Sequence, residues 1–230
     1  MTTEPKKLDD LTEEERADLT VRLLEDQVTE QRKKLHFWRE ITKQPAQIDT
    51  GYVAQHLVSL VTGLPGDLMR GKGLDLADGS EIKSANFLDS LDKRGAIAPR
   101  WNFLARNQND LEAFLKYPAL YLISLDLNTQ QHVRARVWRV YTAKHKELSA
   151  RYLEWVAKMG RPKLLDPKRP DANFQLFPPR TGTDDDYARH GNGRDFAKLE
   201  IKLEEPPASR KIYHAEEDSS GKIKLILFKP

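Results

Sequence analysis

The chain has 230 residues, no cysteine and a formal net charge of +3, from 38 Lys and Arg against 35 Asp and Glu. The missing cysteine excludes a disulfide scaffold, a cysteine nucleophile and thiolate zinc ligands. The mild positive charge allows a polyanionic partner without requiring one. No segment reaches the roughly 20 apolar residues of a membrane-spanning helix, and the first residues lack the apolar run of a signal peptide. We therefore expect a soluble cytoplasmic protein.

The first predicted element is a long helix. Thr12 and Glu15 have the spacing of a capping box, and Gln44-Pro45 is a stop signal, which predicts a helix ending near Ile41. Apolar residues recur along it in steps of four and three: Ala17, Val21, Leu24, Val28, Leu35 and Trp38. This seam favours packing against the core of the same chain, while a coiled coil between two chains would show the same pattern.

A second helix is predicted from a cap at Asp49 or Thr50 to about Thr62, where Gly63 and Pro65 are stop signals. A charged segment, residues 71–85, follows it. Leu74 and Leu76 alternate with polar or small residues, the dipeptide 78–79 is Asp-Gly, and alternation resumes at Ser80. This pattern predicts two short antiparallel strands joined by a tight turn.

Three charged residues in this segment suggest chemistry: Asp75, Glu81 and Lys83. Two carboxylates and an amine at one point suit phosphodiester hydrolysis, because oxygen ligands hold Mg²⁺ and an ammonium can orient water or stabilise the phosphate. A two-residue turn would place Asp75 on the opposite face from the other two. We therefore predict an odd-length loop, of residues 78–80, or a glycine bulge. The alternative is a solvated surface ribbon.

Further elements follow in chain order. A short helix is predicted from Asn109-Asp110 to Leu115, and residues 119–127 form an apolar run typical of a strand buried on both faces. Residues 132–140 alternate, which predicts a half-exposed strand with a basic outer face. Thr142 is the predicted cap of a third substantial helix that ends near Gly160. Beyond it, β-like runs lie at 174–177, 196–203, 211–213 and 222–228.

The order helix, Asp75, turn, Glu81-Ile82-Lys83, helix and buried strand resembles the PD-(D/E)xK nuclease superfamily. More narrowly, Gly63-Leu-Pro-Gly-Asp67, Arg70-Gly-Lys-Gly-Leu-Asp75, residues 78–85 and Arg100-Trp-Asn102 resemble the MamI-type restriction endonucleases. The resemblance implies an α/β (α+β) fold, with a mixed β-sheet flanked by helices. It divides the chain into a helical arm (1–48), a nuclease core (49–160) and a β-rich C-terminal lobe or elaboration (161–230) for DNA recognition or dimerisation.

The resemblance also implies a type II restriction enzyme that hydrolyses double-stranded DNA with Mg²⁺ held by Asp75 and Glu81. We expect a homodimer, because two-fold symmetry matches a palindromic duplex, and a cognate DNA methyltransferase as a genetic partner. Many relatives carry a Glu on the preceding helix where this chain has Gln55, which leaves a second metal position open. The alternatives are a repair or recombination nuclease of the same fold, and a non-catalytic DNA-binding protein.

Other candidate residues are less specific. Asp67 is an alternative to Asp75 as the first acidic residue of the motif. Candidate DNA contacts are Lys72, Arg70, Arg100, Asn102, Arg134, Arg136 and Arg139, any of which could instead be merely solvated. Trp101 could stack on a base or lie in the core. Asp184-Asp185-Asp186 is expected to be an exposed loop, with cation binding as the alternative, and His190 with Arg189 and Arg194 could form a base-reading loop.

Overall fold

The computed structural model describes residues 6–44, 46–66, 75–89, 99–105, 108–160 and 173–230. The α-helices are α1 (Glu13–Leu24), α2 (Glu30–Thr42), α3 (Gly51–Thr62), α4 (Gln108–Lys116) and α5 (Lys146–Trp155). The strands are β1 (Glu81–Asn86), β2 (Trp101–Leu104), β3 (Leu120–Leu127), β4 (Val133–Val140), β5 (Asn173–Leu176), β6 (Tyr187–His190), β7 (Leu199–Lys202), β8 (Ser209–Glu217) and β9 (Ile223–Phe228).

A five-stranded mixed sheet organises the fold. Its order is β1-β3-β4-β8-β9; β1 and β3 are parallel, and the other neighbouring pairs are antiparallel. Two small antiparallel ribbons, β2–β5 and β6–β7, accompany it. The predicted mixed α/β architecture is confirmed. The last two strands, β8 and β9, extend the central sheet, so this C-terminal part shares one sheet with β1.

Each face of the sheet is covered by a separate apolar cluster. On the first face, Leu24, Val28 and Leu57 pack with Ile82 and Tyr121. On the second, residues of α4, α5 and the ribbons pack with the alternate side chains of β1, β3 and β4. Because β3 is covered on both sides, all but the last of its eight residues are buried. The apolar run 119–127 therefore forms the predicted doubly buried strand.

The N-terminal helix begins as predicted, with both hydrogen bonds of the Thr12–Glu15 capping box present. It continues through a π-helical segment, Glu25–Thr29, into α2. Leu24 and Val28 are fully buried, whereas Phe37, Trp38 and Ile41 on α2 are 57–61% exposed. Packing against the chain's own core is thus confirmed for the first half of the seam and wrong for the second. Within the described ranges, the helices include none long and apolar enough to cross a membrane.

The prediction of an exposed basic face on β4 is wrong. Arg134 and Arg136 are each 1% exposed, and both bind the fully buried carboxylate of Asp126. The Arg134 Nε and Asp126 Oδ1 atoms lie 2.9 Å apart, as do the Arg136 Nη2 and Asp126 Oδ2 atoms. β3 places Asp126 directly opposite Arg134. A buried charge needs such a partner, so these two arginines have a structural role, and their burial argues against the predicted DNA contacts.

The segment Asp184–Asp186 supplies further partners to these two arginines. Asp184 Oδ1 accepts a hydrogen bond from Arg134 at 3.2 Å, and the backbone oxygen of Asp185 accepts one from Arg136 at 3.2 Å. Asp186 pairs with Lys211 on β8 at 2.9 Å. The side chain of Asp184 is 87% exposed, as expected for an exposed loop, but the segment is tied to β4 and β8 by these contacts. The predicted cap of α5 also differs: His145 is the cap, and the Thr142 hydroxyl donates to the Phe114 carbonyl.

Candidate functional site

The turn before β1 has the odd length that the site requires. The Leu76 amide donates to the Ser80 carbonyl at 3.3 Å, and the Gly79 amide donates to the Leu76 carbonyl at 2.9 Å. Ala77, Asp78 and Gly79 thus form a three-residue loop, with Gly79 at φ 88°, a conformation that glycine adopts without strain. The loop lies one residue earlier than the predicted 78–80.

The predicted two-stranded hairpin does not form around this turn. Leu76 makes a single bridge with Gly66, Leu74 lies outside the described residues, and β1 pairs in parallel with β3 instead. The two acids nevertheless lie on one side, because both line the same cavity and the Asp75 carboxylate accepts a hydrogen bond from the Ile82 amide, next to Glu81.

Asp75 is held by two hydrogen bonds. Its Oδ2 accepts from the Ile82 amide at 2.9 Å, and its Oδ1 accepts from Gln55 Nε2 at 2.9 Å. The first bond ties the carboxylate to β1, and the second ties it to α3. Each carboxylate oxygen has two acceptor positions, so both retain one for a further ligand.

Glu81 and Lys83 project from the same face of β1, because they lie two residues apart on a strand. Their side chains form an ion pair. The Glu81 side chain is 8% exposed, and its Oε2 is buried with no hydrogen-bond partner. Burial raises the pKa of Glu81; the Lys83 ammonium opposes this shift, and the Asp75 carboxylate adds to it. Lys83 thus pairs with one carboxylate oxygen of Glu81, and the other oxygen, Oε2, has no partner.

These three side chains lie on the wall of one cavity of about 920 Å³. Lys116 and Tyr117, between α4 and β3, line another part of it, as do Asn102, Leu104 and Asn173 from the β2–β5 ribbon. Tyr117 is influenced by both acids: burial, and then the charges of Glu81 and Asp75, raise its pKa to about 12. Its phenol consequently stays protonated, and able to donate a hydrogen bond, at neutral pH.

The donor set fits a magnesium ion. The described residues contain no group of three or more His, Cys, Asp or Glu side chains arranged for a metal. Mg²⁺ at phosphate sites, however, commonly uses one or two carboxylates and takes its remaining ligands from water and the substrate. The free Oε2 of Glu81 and the spare acceptor positions of Asp75 meet that requirement. Asp75 and Glu81 are the residues that would hold the ion.

The other sequence candidates are distributed differently. Asp67, Arg70 and Lys72 lie outside the described residues. Asn102 is exposed on the cavity wall, whereas Arg100 is half-buried and does not line the cavity. Trp101 is fully buried, and its indole donates to the Ile123 carbonyl at 2.8 Å, so it belongs to the core.

His190 also belongs to the core. Its ring stacks on Phe174 at 4.4 Å between centroids and lies edge-on to Trp155, and it is 4% exposed. The buried His190 ring is not available to a base, and a base-reading role for Arg189 and Arg194 stays a prediction.

Two residues acquire roles that the sequence did not assign to them. Gln55 was noted only for replacing a glutamate, but it positions Asp75. Tyr117 was not selected at all; it immediately precedes the Pro118 that introduces the buried strand, and it lines the cavity. The charge pattern alone gave no signal for either residue.

Comparison with known proteins gives two matches. The model of the MamI restriction endonuclease family matches residues 37–215. Type II restriction enzyme MamI from Microbacterium ammoniaphilum is 34% identical over 212 residues, which cover 84% of this chain and 63% of that protein. The chain thus spans less than two thirds of the length of this curated relative. No solved structure matches the chain significantly.

Proposed function

This chain belongs to the MamI restriction endonuclease family, and from that premise we propose that it is a Mg²⁺-dependent enzyme that cuts double-stranded DNA at a specific sequence. The single observation that carries the proposal is the convergence of Asp75, Glu81 and Lys83 on one cavity wall. The curated relative is named a type II restriction enzyme.

Asp75 and Glu81 would hold the magnesium ion. When bound there, Mg²⁺ supplies positive charge against the charge that develops on the phosphate, and it acidifies water. The protein contributes a preorganised carboxylate, because Gln55 and the Ile82 amide fix Asp75 before any ligand arrives. It also contributes a buried carboxylate oxygen, Glu81 Oε2, that has no competing hydrogen bond.

Lys83 has the position of the residue that acts on water or on the phosphate. Its ammonium is held beside Glu81 on the cavity wall and is 26% exposed. In the hydrolysis a water oxygen bonds to phosphorus, the bond from phosphorus to one ester oxygen breaks, and the departing oxygen gains a proton. The Lys83 ammonium orients the water or donates a hydrogen bond to a non-bridging phosphate oxygen, where negative charge increases.

We also propose a homodimer, because two copies related by a two-fold axis place one site on each strand of a palindromic duplex. The exposed apolar face of α2, formed by Phe37, Trp38 and Ile41, is the proposed contact. A face of this kind is typical of interfaces, which are enriched in aromatic residues. A DNA methyltransferase encoded nearby would be the expected genetic partner.

A plasmid digest tests the proposed activity. The parent protein with Mg²⁺ should give discrete fragments, and EDTA should abolish them. Lys83→Ala should lose cleavage while still binding DNA in Ca²⁺, whereas Lys224→Ala, on the β9 edge of the sheet, should cleave like the parent. Nicking of branched DNA without discrete fragments would favour a repair nuclease. Binding without any cleavage would favour a non-catalytic DNA-binding protein.

A further inference from the structure

The β2–β5 ribbon has two faces of different chemistry. Register pairs Trp101 with Leu176 and Phe103 with Phe174, and all four of these side chains are buried. The Trp101 ring meets Trp138 edge-on at 6.0 Å, and Phe103 meets Phe114 edge-on at 5.8 Å. These contacts anchor the ribbon to the second face of the sheet. Its backbone is therefore a rigid platform.

The opposite face of the ribbon is polar without being charged. Asn102 lies directly across from Gln175, and Leu104 lies directly across from Asn173. Asn102 is exposed, Leu104 is 44% exposed, and the two β5 amides are half-buried. In addition, Asn173 Oδ1 is buried with no hydrogen-bond partner. A buried amide oxygen without a partner is costly, and a donor from a bound ligand would relieve that cost.

This amide face meets the same cavity as the acids. Asn102, Leu104 and Asn173 line it together with Asp75 and Glu81. A duplex whose phosphate reaches the two carboxylates therefore brings its neighbouring base pairs to the ribbon. A two-stranded ribbon also has the dimensions to enter the major groove of B-DNA.

The residue types indicate which part of the duplex the ribbon contacts. Lysine and arginine contact phosphates and guanine edges, and amides contact both phosphates and bases. Asn and Gln pair in two-point fashion with adenine, and apolar side chains contact the thymine methyl group. A face composed of three amides and one leucine, with no lysine or arginine, suits base edges better than phosphates.

We propose that the outward face of the β2–β5 ribbon is a specificity-determining surface that reads base edges beside the scissile phosphate, with Asn102 and Gln175 as the principal readers and A·T pairs as the preferred partners. This inference rests on the proposed DNA cleavage and identifies the segment that selects the substrate.

The test compares discrimination with affinity. The parent's recognition sequence is first read by sequencing the ends of plasmid fragments. Single-turnover cleavage is then measured on the cognate duplex and on duplexes with one base pair changed, for the parent, Asn102→Ala and Gln175→Ala. We expect the ratio of cognate to altered-site rates to fall about 10- to 100-fold at one A·T position for each variant. Discrimination at the other positions should be unchanged.

Salt titrations of DNA binding in Ca²⁺ separate base reading from phosphate binding. The slope of log affinity against log salt should match the parent's in both amide variants, because neither removes a charge. Lys116→Ala, at the cavity edge, should reduce the slope by about 1 without altering discrimination. Gln130→Ala, an exposed amide in the β3–β4 turn, is the matched control and should change neither quantity.

Unchanged discrimination in both amide variants, with a parent that cuts a defined site, would overturn the ribbon proposal and leave the cleavage proposal intact. If the parent does not cut, the cleavage proposal fails, and selection of bound duplexes from a randomised library in Ca²⁺ tests the ribbon. Loss of one consensus position in Asn102→Ala would then support it. An identical consensus, or none in the parent, would overturn it.

Discussion

The replacement Glu81→Gln separates metal binding from folding. Glutamine has nearly the same shape, and its amide oxygen can still accept the hydrogen bond that Lys83 donates to Glu81. The change removes the negative charge of a side chain that is 8% exposed. We expect the variant to fold like the parent, to lose Mg²⁺ binding and to lose cleavage.

The size of the effect follows from linkage. If added Mg²⁺ is about ten times its dissociation constant, binding stabilises the folded parent by about 1.4 kcal/mol. For a chain of this size, 1 kcal/mol corresponds to roughly 2–4 °C in Tm, so Mg²⁺ should raise the parent's Tm by roughly 3–6 °C. Glu81→Gln should show almost no rise, because a carboxamide is a weak ligand for Mg²⁺ compared with a carboxylate.

The pH dependence has a defined sign. Burial raises the pKa of Glu81 in the folded protein, so the folded state binds this proton more tightly than the unfolded state does. Without Mg²⁺, the Glu81 contribution to stability is present below its ordinary pKa and is lost as pH rises through the raised pKa. Mg²⁺ requires the deprotonated carboxylate. The Mg²⁺-dependent rise in Tm should therefore grow with pH across that window in the parent and stay absent in the variant.

Thermal melting with and without Mg²⁺, followed by circular dichroism, provides the measurement. Glu154→Gln, an exposed acid on α5 that pairs with Lys158, is the matched control and should retain the full Mg²⁺-dependent rise. An equal rise in Glu81→Gln and the parent would show that Glu81 does not bind the ion, and the assignment of the site would be wrong.

Three further changes test other parts of the molecule. Gln55→Leu removes the hydrogen bond to Asp75; it should raise the Mg²⁺ concentration for half-maximal cleavage at least about tenfold, and an unchanged titration would contradict the positioning role. Asp126→Ala removes the buried carboxylate that two buried guanidinium groups share, so urea unfolding should show a loss of about 3–5 kcal/mol, whereas a loss below about 1 would refute the buried pairing. Trp38→Glu should halve the mass seen by sedimentation, and a monomeric parent would rule out the proposed dimer.

The placement of Asp75, Glu81 and Lys83 at one cavity could be predicted from the sequence because the information is local. The turn, the alternation along β1 and the spacing of Asp75, Glu81 and Lys83 all lie within nine residues, where the two-residue period of a strand determines the facing of side chains. The capping box of α1 and the apolar run of β3 are local for the same reason. The pairing of β1 with β3 is not local. The predicted hairpin was therefore wrong, and the turn is followed by a strand that pairs in parallel with β3.

The prediction for β4 was wrong because some partners of its arginines are distant in the sequence. Alternation of arginine with apolar residues ordinarily indicates a solvated face, but here the partners come from Asp126 and from residues 184–186. The contacts with residues 184–186 join segments about 50 residues apart. One local signal existed: Asp126 is the only charged residue in the apolar run 119–127. A lone acid in a doubly buried strand requires a cation nearby.

The position of β8 and β9 in the central sheet delays completion of the fold during synthesis. Until residues 184–186 and β8 leave the ribosome, Arg136 lacks part of its pairing and the β4 edge is unsatisfied. β9 must then reach the π-helical segment that follows α1, since the Ile223 amide donates to Glu25 at 3.3 Å. Asp75, Glu81 and Lys83 are translated early, but the sheet that contains β1 is completed by strands translated much later. A nascent chain would thus carry these three residues before the sheet behind them is complete.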